Sequence, residues 1–230
     1  LCCWLLLGSR PADPWVFRAT LDGRPHALNV ALHRSLWVSY DAASGKLAKA
    51  WQGLLLQQGP AAETGLGQSA RASGITLFES PGEESDWLVL QAGKSFRPEV
   101  RFLGYRVEDT LLTLSYALRL PDGSEIRIEE KPECLPSKKS DNRSTLLREF
   151  RLSGLPPATQ VLLRVRLRSI LKPGDIAADA KWQNEQRSKR IFDWGTLLDY
   201  SGELILNADA PTRLEITFTV NPEMAAKGTG

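Results

Sequence analysis

Apolar residues in this chain recur at every second position, and that period constrains the fold more than any other feature. Leu112, Leu114, Tyr116, Leu118 and Leu120 fall on one side of an extended segment, with Thr113, Ser115 and Arg119 on the other. A half-buried strand requires this spacing, because successive side chains of extended backbone point to opposite faces. Pro121-Asp122-Gly123 then turns the chain into Ile126 and Ile128, which alternate with Glu125, Arg127 and Glu129, so the pattern predicts a hairpin. Leu163, Val165 and Leu167 alternate with Arg164, Arg166 and Arg168. Those arginines read as the solvated face of a strand, with an anionic-ligand stripe as the competing reading. Leu204 and Leu206 precede an Asp209-Ala210-Pro211 turn, after which Leu214, Ile216, Phe218 and Val220 alternate with Arg213, Glu215, Thr217 and Thr219.

The front half has the same character. Trp15 to Leu21 leads through Asp22-Gly23-Arg24-Pro25 into His26 to Leu32. Leu36 to Tyr40 and Lys46 to Trp51 form a second hairpin around Asp41 to Gly45, with Gly45 suited to a left-handed turn position. Gly104, inside the strand Val100 to Val107, marks a bulge or a close backbone approach. Helical signals are thin. Asp175 to Arg190 offers a narrow stripe of Ala177, Ala178, Ala180 and Trp182 for a short helix, and Gln57 to Ser73 reads as a long exposed loop. The expected fold is therefore all-β: a large antiparallel two-sheet β-sandwich with long loops and at most short helices. No composition break divides the 230 residues, so 14–220 is read as a single domain.

Charge and cysteine usage narrow the function classes. Lys plus Arg is 29 and Asp plus Glu is 27, a net charge of +2 that argues against a nucleic-acid partner. Leu1-Cys2-Cys3-Trp4-Leu5-Leu6-Leu7 is too short to cross a bilayer, which needs roughly 20 apolar residues. Residues 1–13 are read as a signal-peptide remnant or disordered leader, with a buried first strand as the competing reading, and 221–230 as a linker or cut domain edge. No membrane span is expected in the mature domain. Cys134 lies between Pro132 and Pro136, and pairing with Cys2 or Cys3 stays open; once the leader is removed it is a free thiol or a partly buried apolar residue. His26 and His33, seven residues apart, fall on opposite faces of one strand by parity, and there is no Cys-x-x-Cys-His. Neither a metal nor another cofactor is expected, and no residue is singled out as catalytic.

Seven tryptophans are the remaining signal. In a sandwich, indoles serve as core wedges; the competing reading is a sugar-stacking platform. The possible ligand-binding residues on that reading are Trp37, Tyr40, Asp41 and Trp51 on the front hairpin, with Trp182. Alternation places Trp37 with Ser39 and Asp41, away from Leu36, Val38 and Tyr40, so Trp37 either covers the second surface of its sheet or reaches solvent.

The front segments Pro14-Trp15-Val16-Phe17-Arg18, Leu21-Asp22-Gly23-Arg24-Pro25, Ala31-Leu32-His33 and Leu36 to Asp41, continuing into Gly45 to Gly53, carry a resemblance. Phe102 to Arg106, Leu114 to Tyr116 and Leu147 to Phe150 extend it, so that it covers roughly 14–220. The chain resembles the N-terminal β-rich region of large exported bacterial multidomain proteins. Those proteins carry c-type cytochrome modules, sorbosone- or glucose-dehydrogenase-like propellers, or trehalose-utilisation-like domains. The resemblance implies a periplasmic or secreted accessory domain without the haem or quinoprotein chemistry of its neighbours. The function expected is a non-catalytic structural or interaction domain whose partners are neighbouring modules of the same polypeptide. A carbohydrate-binding sandwich with glycan partners is the first alternative, and a carbohydrate-active enzyme using an unidentified carboxylate pair is the second.

Overall fold

The computed structural model describes residues 13–34, 36–58, 69–82, 84–135, 143–168, 176–184, 187–190 and 199–220, with backbone alone for 56–58, 69, 167–168, 176–184, 187–190 and 199–202. Residues 1–12, most of the leader expected at 1–13, and residues 221–230 lie outside them. Every regular element among the described residues is a strand, so the chain is all-β. The front strands are β1 (Trp15–Arg18), β2 (Thr20–Leu21), β3 (Ala27–His33), β4 (Leu36–Asp41), β5 (Lys46–Gln58) and β6 (Ser69–Glu79). The middle of the chain supplies β7 (Trp87–Gln91), β8 (Lys94–Phe96), β9 (Glu99–Glu108), β10 (Leu111–Arg119), β11 (Glu125–Leu135) and β12 (Arg143–Ser153). The rest are β13 (Thr159–Arg168), β14 (Ile176–Asn184), β15 (Arg187–Arg190), β16 (Asp199–Leu206) and β17 (Thr212–Val220).

These strands hydrogen-bond into a ten-stranded sheet, with the path β1-β3-β4-β5-β6-β13-β7-β8 plus β16 on β13 and β2 on β6, and a seven-stranded sheet, β15-β14-β17-β12-β11-β10-β9. All pairs are antiparallel except β2 with β6. Alternation does the sorting. Leu112, Leu114, Tyr116 and Leu118 of β10 are buried together with Leu28, Val30, Val38, Tyr40, Val161 and Leu163 from the larger sheet, so the two sheets share one apolar core.

The ten-stranded sheet is more than a flat layer, and the sequence did not announce this. β1 pairs with β3 at one end of the run β3-β4-β5-β6, whereas β2, one residue further along the chain, pairs with β6 at its other end. That part of the sheet therefore curls back on itself, and the curl encloses a second core of Leu21, Ala27, Ala31, Trp37, Trp51 and Ala70. The β5–β6 ladder brings Gly53 opposite Gly74, at φ +135° and +119°. A Cβ on either would sit 2.2 Å from a carbonyl oxygen of the facing strand, so only glycine permits this approach.

Two local expectations change. Asp175 to Arg190 holds no helix among its described residues. Ile176, Ala178, Ala180 and Trp182 are the register partners of Val220, Phe218, Ile216 and Leu214, so long-range pairing with an apolar strand overrides a weak helical stripe. The segment Gln57 to Ser73 is not one long loop: β5 runs to Gln58 and β6 starts at Ser69, leaving only 59–68 outside the described residues. Its small residues still pair because every described position there has a partner across the ladder.

Gly45, at φ +63°, ends the β4–β5 loop beneath the indole of Trp87. A Cβ there would lie 2.9 Å from Val100 Cγ1, 3.0 Å from Trp87 Nε1 and 3.1 Å from Tyr116 Cδ1. Gly45→Ala is therefore expected to destabilise the fold by about 2–4 kcal/mol, combining left-handed strain with overpacking. Urea denaturation measures it; a loss of under about 0.5 kcal/mol, ordinary for a surface change, would show that the three neighbours yield freely.

Candidate functional site

Polar chemistry collects at the hairpin end of the shared core. Glu130 on β11 and Arg148 on β12 both lie on the inner face of the smaller sheet, fully or almost fully buried. Glu130 pairs with Phe150 in the ladder, which makes Arg148 its diagonal neighbour. Arg148 Nε donates to Glu130 Oε1 at 2.7 Å and Nη2 donates to Oε2 at 3.1 Å. From the other sheet, the Tyr40 hydroxyl donates to Oε1 at 2.6 Å. The guanidinium lies 4.9 Å from the Phe150 ring centre and 5.9 Å from that of Tyr40. Burial works against the charge on Arg148, but the Glu130 carboxylate holds it protonated, above its ordinary range. Burial, reinforced by Glu130, pushes the phenols of Tyr40 and Tyr116 well above theirs. The Tyr116 hydroxyl has no hydrogen-bond partner among the described residues.

This arrangement ties the two sheets together. Glu130 is closed to solvent and held by three hydrogen bonds, so it lacks the access to a substrate proton that a general base needs.

Above it lies a cleft of about 640 Å³ between the Arg24–Ala27 turn, the Asp41–Ser44 loop and Gly82, with Ser39, Tyr40, Lys46 and Ala48 in its walls. The two turns are joined by a hydrogen bond from Ala42 N to His26 O at 3.2 Å, with His26 held at φ +59°. Asp41 accepts from Ala43 N at 2.9 Å and from Ser44 Oγ at 2.7 Å. Lys46 donates to the carbonyls of Pro81 and Gly82 at 2.7 and 2.6 Å. Burial pushes the ammonium of Lys46 below its ordinary value, opposed by the charge of Asp86. Asp86 is pushed up by burial and pulled down by Arg166, whose Nη2 lies 2.6 Å away.

The residues selected from sequence separate into two places. Trp37 and Trp51 are direct ladder partners, stacked with ring centres 5.7 Å apart and planes at 15°, inside the second core. Their exposures are 3% and 0%, and each indole N–H donates to a backbone carbonyl, of Gly53 at 3.1 Å and Leu54 at 2.9 Å. Tyr40 and Asp41 line the cleft instead. Trp182 is on β14 opposite Leu214, and its side chain lies outside the described residues, as does all of Trp194. His26 sits in a turn and His33 lies beyond a register shift, so simple parity does not relate them. Among the arginines of β13, Arg164 pairs with Glu203 at 3.1 Å and Arg166 with Asp86.

Sequence reasoning missed Glu130, Arg148 and Lys46. A signal for the first two was present: Glu130 occupies the apolar phase set by Ile126 and Ile128, and Arg148 the phase of Leu146, Phe150 and Leu152. Among the described residues no three His, Cys, Asp or Glu side chains form a cluster. Cys134 is a half-buried free thiol, and burial, with Asp13 nearby, pushes it up to about 11. Since the thiolate is the reactive form, alkylation by iodoacetamide at pH 8 is expected to run at least about tenfold slower than for glutathione. A rate equal to that of glutathione would place the thiol in solvent. Compared with known proteins, the chain matches no family model and no curated protein.

Proposed function

We propose that this chain is a non-catalytic interaction domain, a two-sheet β-sandwich with one curled sheet, from an exported multidomain bacterial protein. The observation that supports this reading is the distribution of its apolar surface. The described indoles and the buried carboxylate are engaged inside the fold, while Leu103, Tyr105, Val107 and Leu111 remain exposed along the β9–β10 hairpin. β9 is the last strand of its sheet, and its outer edge has no partner among the described residues. An exposed apolar edge of this kind is a template for another chain. Tyr105 and Val107 pair with Leu114 and Leu112, so they continue the inner face of the sheet past the part that the larger sheet covers.

Hydrogen exchange of the full-length polypeptide against this chain alone tests the reading. Added protection over residues 99–111 in the longer protein is expected. Unchanged exchange there, or hydrolysis of a glycan by the isolated chain, would overturn it. Carbohydrate recognition is a second reading, favoured by one observation: Tyr40, Asp41, Ser39 and Ser44 all line the cleft.

A further inference from the structure

We propose that the cleft between the Arg24–Ala27 turn and the Asp41–Ser44 loop binds a small hydroxylated carboxylate of the sugar-acid class, with Lys46 and Arg24 as its cations. The inference rests on the second reading above and adds the charge of the ligand. Its anchor is the state of Lys46. This residue is 2% exposed, and its two hydrogen bonds both go to backbone carbonyls. Among the described residues it forms no ion pair, in contrast to the other buried lysine, Lys49, which lies 2.7 Å from Asp22 and 3.0 Å from Glu79. A buried cation is costly unless an anion balances it. Among the described residues the carboxylates whose charge reaches Lys46 are Asp86 and Asp41, and neither hydrogen-bonds to it: Asp86 binds Arg166, and each Asp41 oxygen accepts one bond within its own turn. An ammonium carries three donors, so two carbonyls leave one for a ligand in the cleft that Lys46 lines.

The rest of the wall selects among anions. Arg24, on the same cleft, makes two long contacts, with the Ala48 carbonyl and with Glu79, each at 3.4 Å, and adds a second positive charge. Asp41 is negative, and its two oxygens each accept one hydrogen bond, which leaves acceptor capacity facing the same space. A compact dianion such as phosphate would be repelled by Asp41. A ligand with a carboxylate at one end and hydroxyl donors at the other satisfies Lys46 and Asp41 together. Tyr40 and Ala48 supply apolar wall between them.

The test titrates this chain with galacturonate, galactose and inorganic phosphate while amide shifts are followed by NMR. Galacturonate is expected to shift Ala43, Ser44 and Gly82 and to bind at least about tenfold more tightly than galactose, the loss that follows from removing one charged hydrogen bond. Lys46→Met is expected to remove most of that preference, leaving about the threefold that Arg24 supplies. Should that variant fail to fold, Arg24→Gln, at a partly exposed position, is expected to weaken galacturonate about threefold without affecting galactose. Equal binding of galactose and galacturonate would overturn the charge assignment and leave carbohydrate recognition standing. Silence from both sugars, shifts away from the cleft, or tighter binding of phosphate would overturn the proposal entirely.

Discussion

Glu130→Gln is expected to destabilise the protein by about 3–5 kcal/mol, the scale for removing one partner of a buried ion pair. The change keeps the side-chain volume and an oxygen for Tyr40. It leaves the Arg148 guanidinium, which is 4% exposed, with no anion in a space closed to water. The loss is therefore electrostatic rather than a packing defect. A companion variant separates the two: Glu130→Leu with Arg148→Met and Tyr40→Phe removes every polar partner at once. It should recover most of the loss, because replacing a whole buried pair with apolar groups is often neutral or stabilising by about 1–4 kcal/mol. Urea denaturation of both variants decides. A single variant within about 1 kcal/mol of the parent would mean that solvent reaches Arg148 and the sheets are not joined as described.

Hairpins and burial phase were legible because they depend on neighbours in sequence. Pro121-Asp122-Gly123 turns β10 into β11, with Gly123 at φ +85°, and Gly104 marks the shift where Ser115 pairs with Gly104 but Tyr116 pairs with Phe102. Long-range choices were not legible in the same way. Two residues of β2 beside β6 curl the sheet, and no local periodicity encodes a parallel contact of Thr20 with Ser69. β14 extends because β17 offers it a ladder, although its own residues carry no clear preference. The candidate site divides along the same line. That Tyr40 and Asp41 lie together beside a turn is legible from the hairpin that holds them. Lys46 escaped because its partners, the carbonyls of Pro81 and Gly82, come from a loop far along the chain and have no side-chain signature.

Trp37→Ala is expected to remove about 3–5 kcal/mol, the range for deleting a large aromatic from a packed interior. Parity alone had left Trp37 either covering the second face of its sheet or in water. The curl of the sheet supplies the cover. Trp51 stacks on one side of the indole, while Trp15 and Phe17 meet it edge-on with ring centres 6.0 and 6.4 Å away. Deletion thus opens a cavity among rings anchored on two other strands, β1 and β5, which limits collapse around it. It also takes the donor from the Gly53 carbonyl at the glycine pair. Trp37→Phe keeps a ring in the stack but loses that donor, and is expected to cost about 1–3 kcal/mol. Chemical denaturation of both variants, beside a glycan-array screen of the parent, separates packing from sugar stacking. For a sugar platform, Trp37→Ala would stay within about 0.5–1 kcal/mol of the parent and lose the array signal, and that pair of results would overturn the packed assignment.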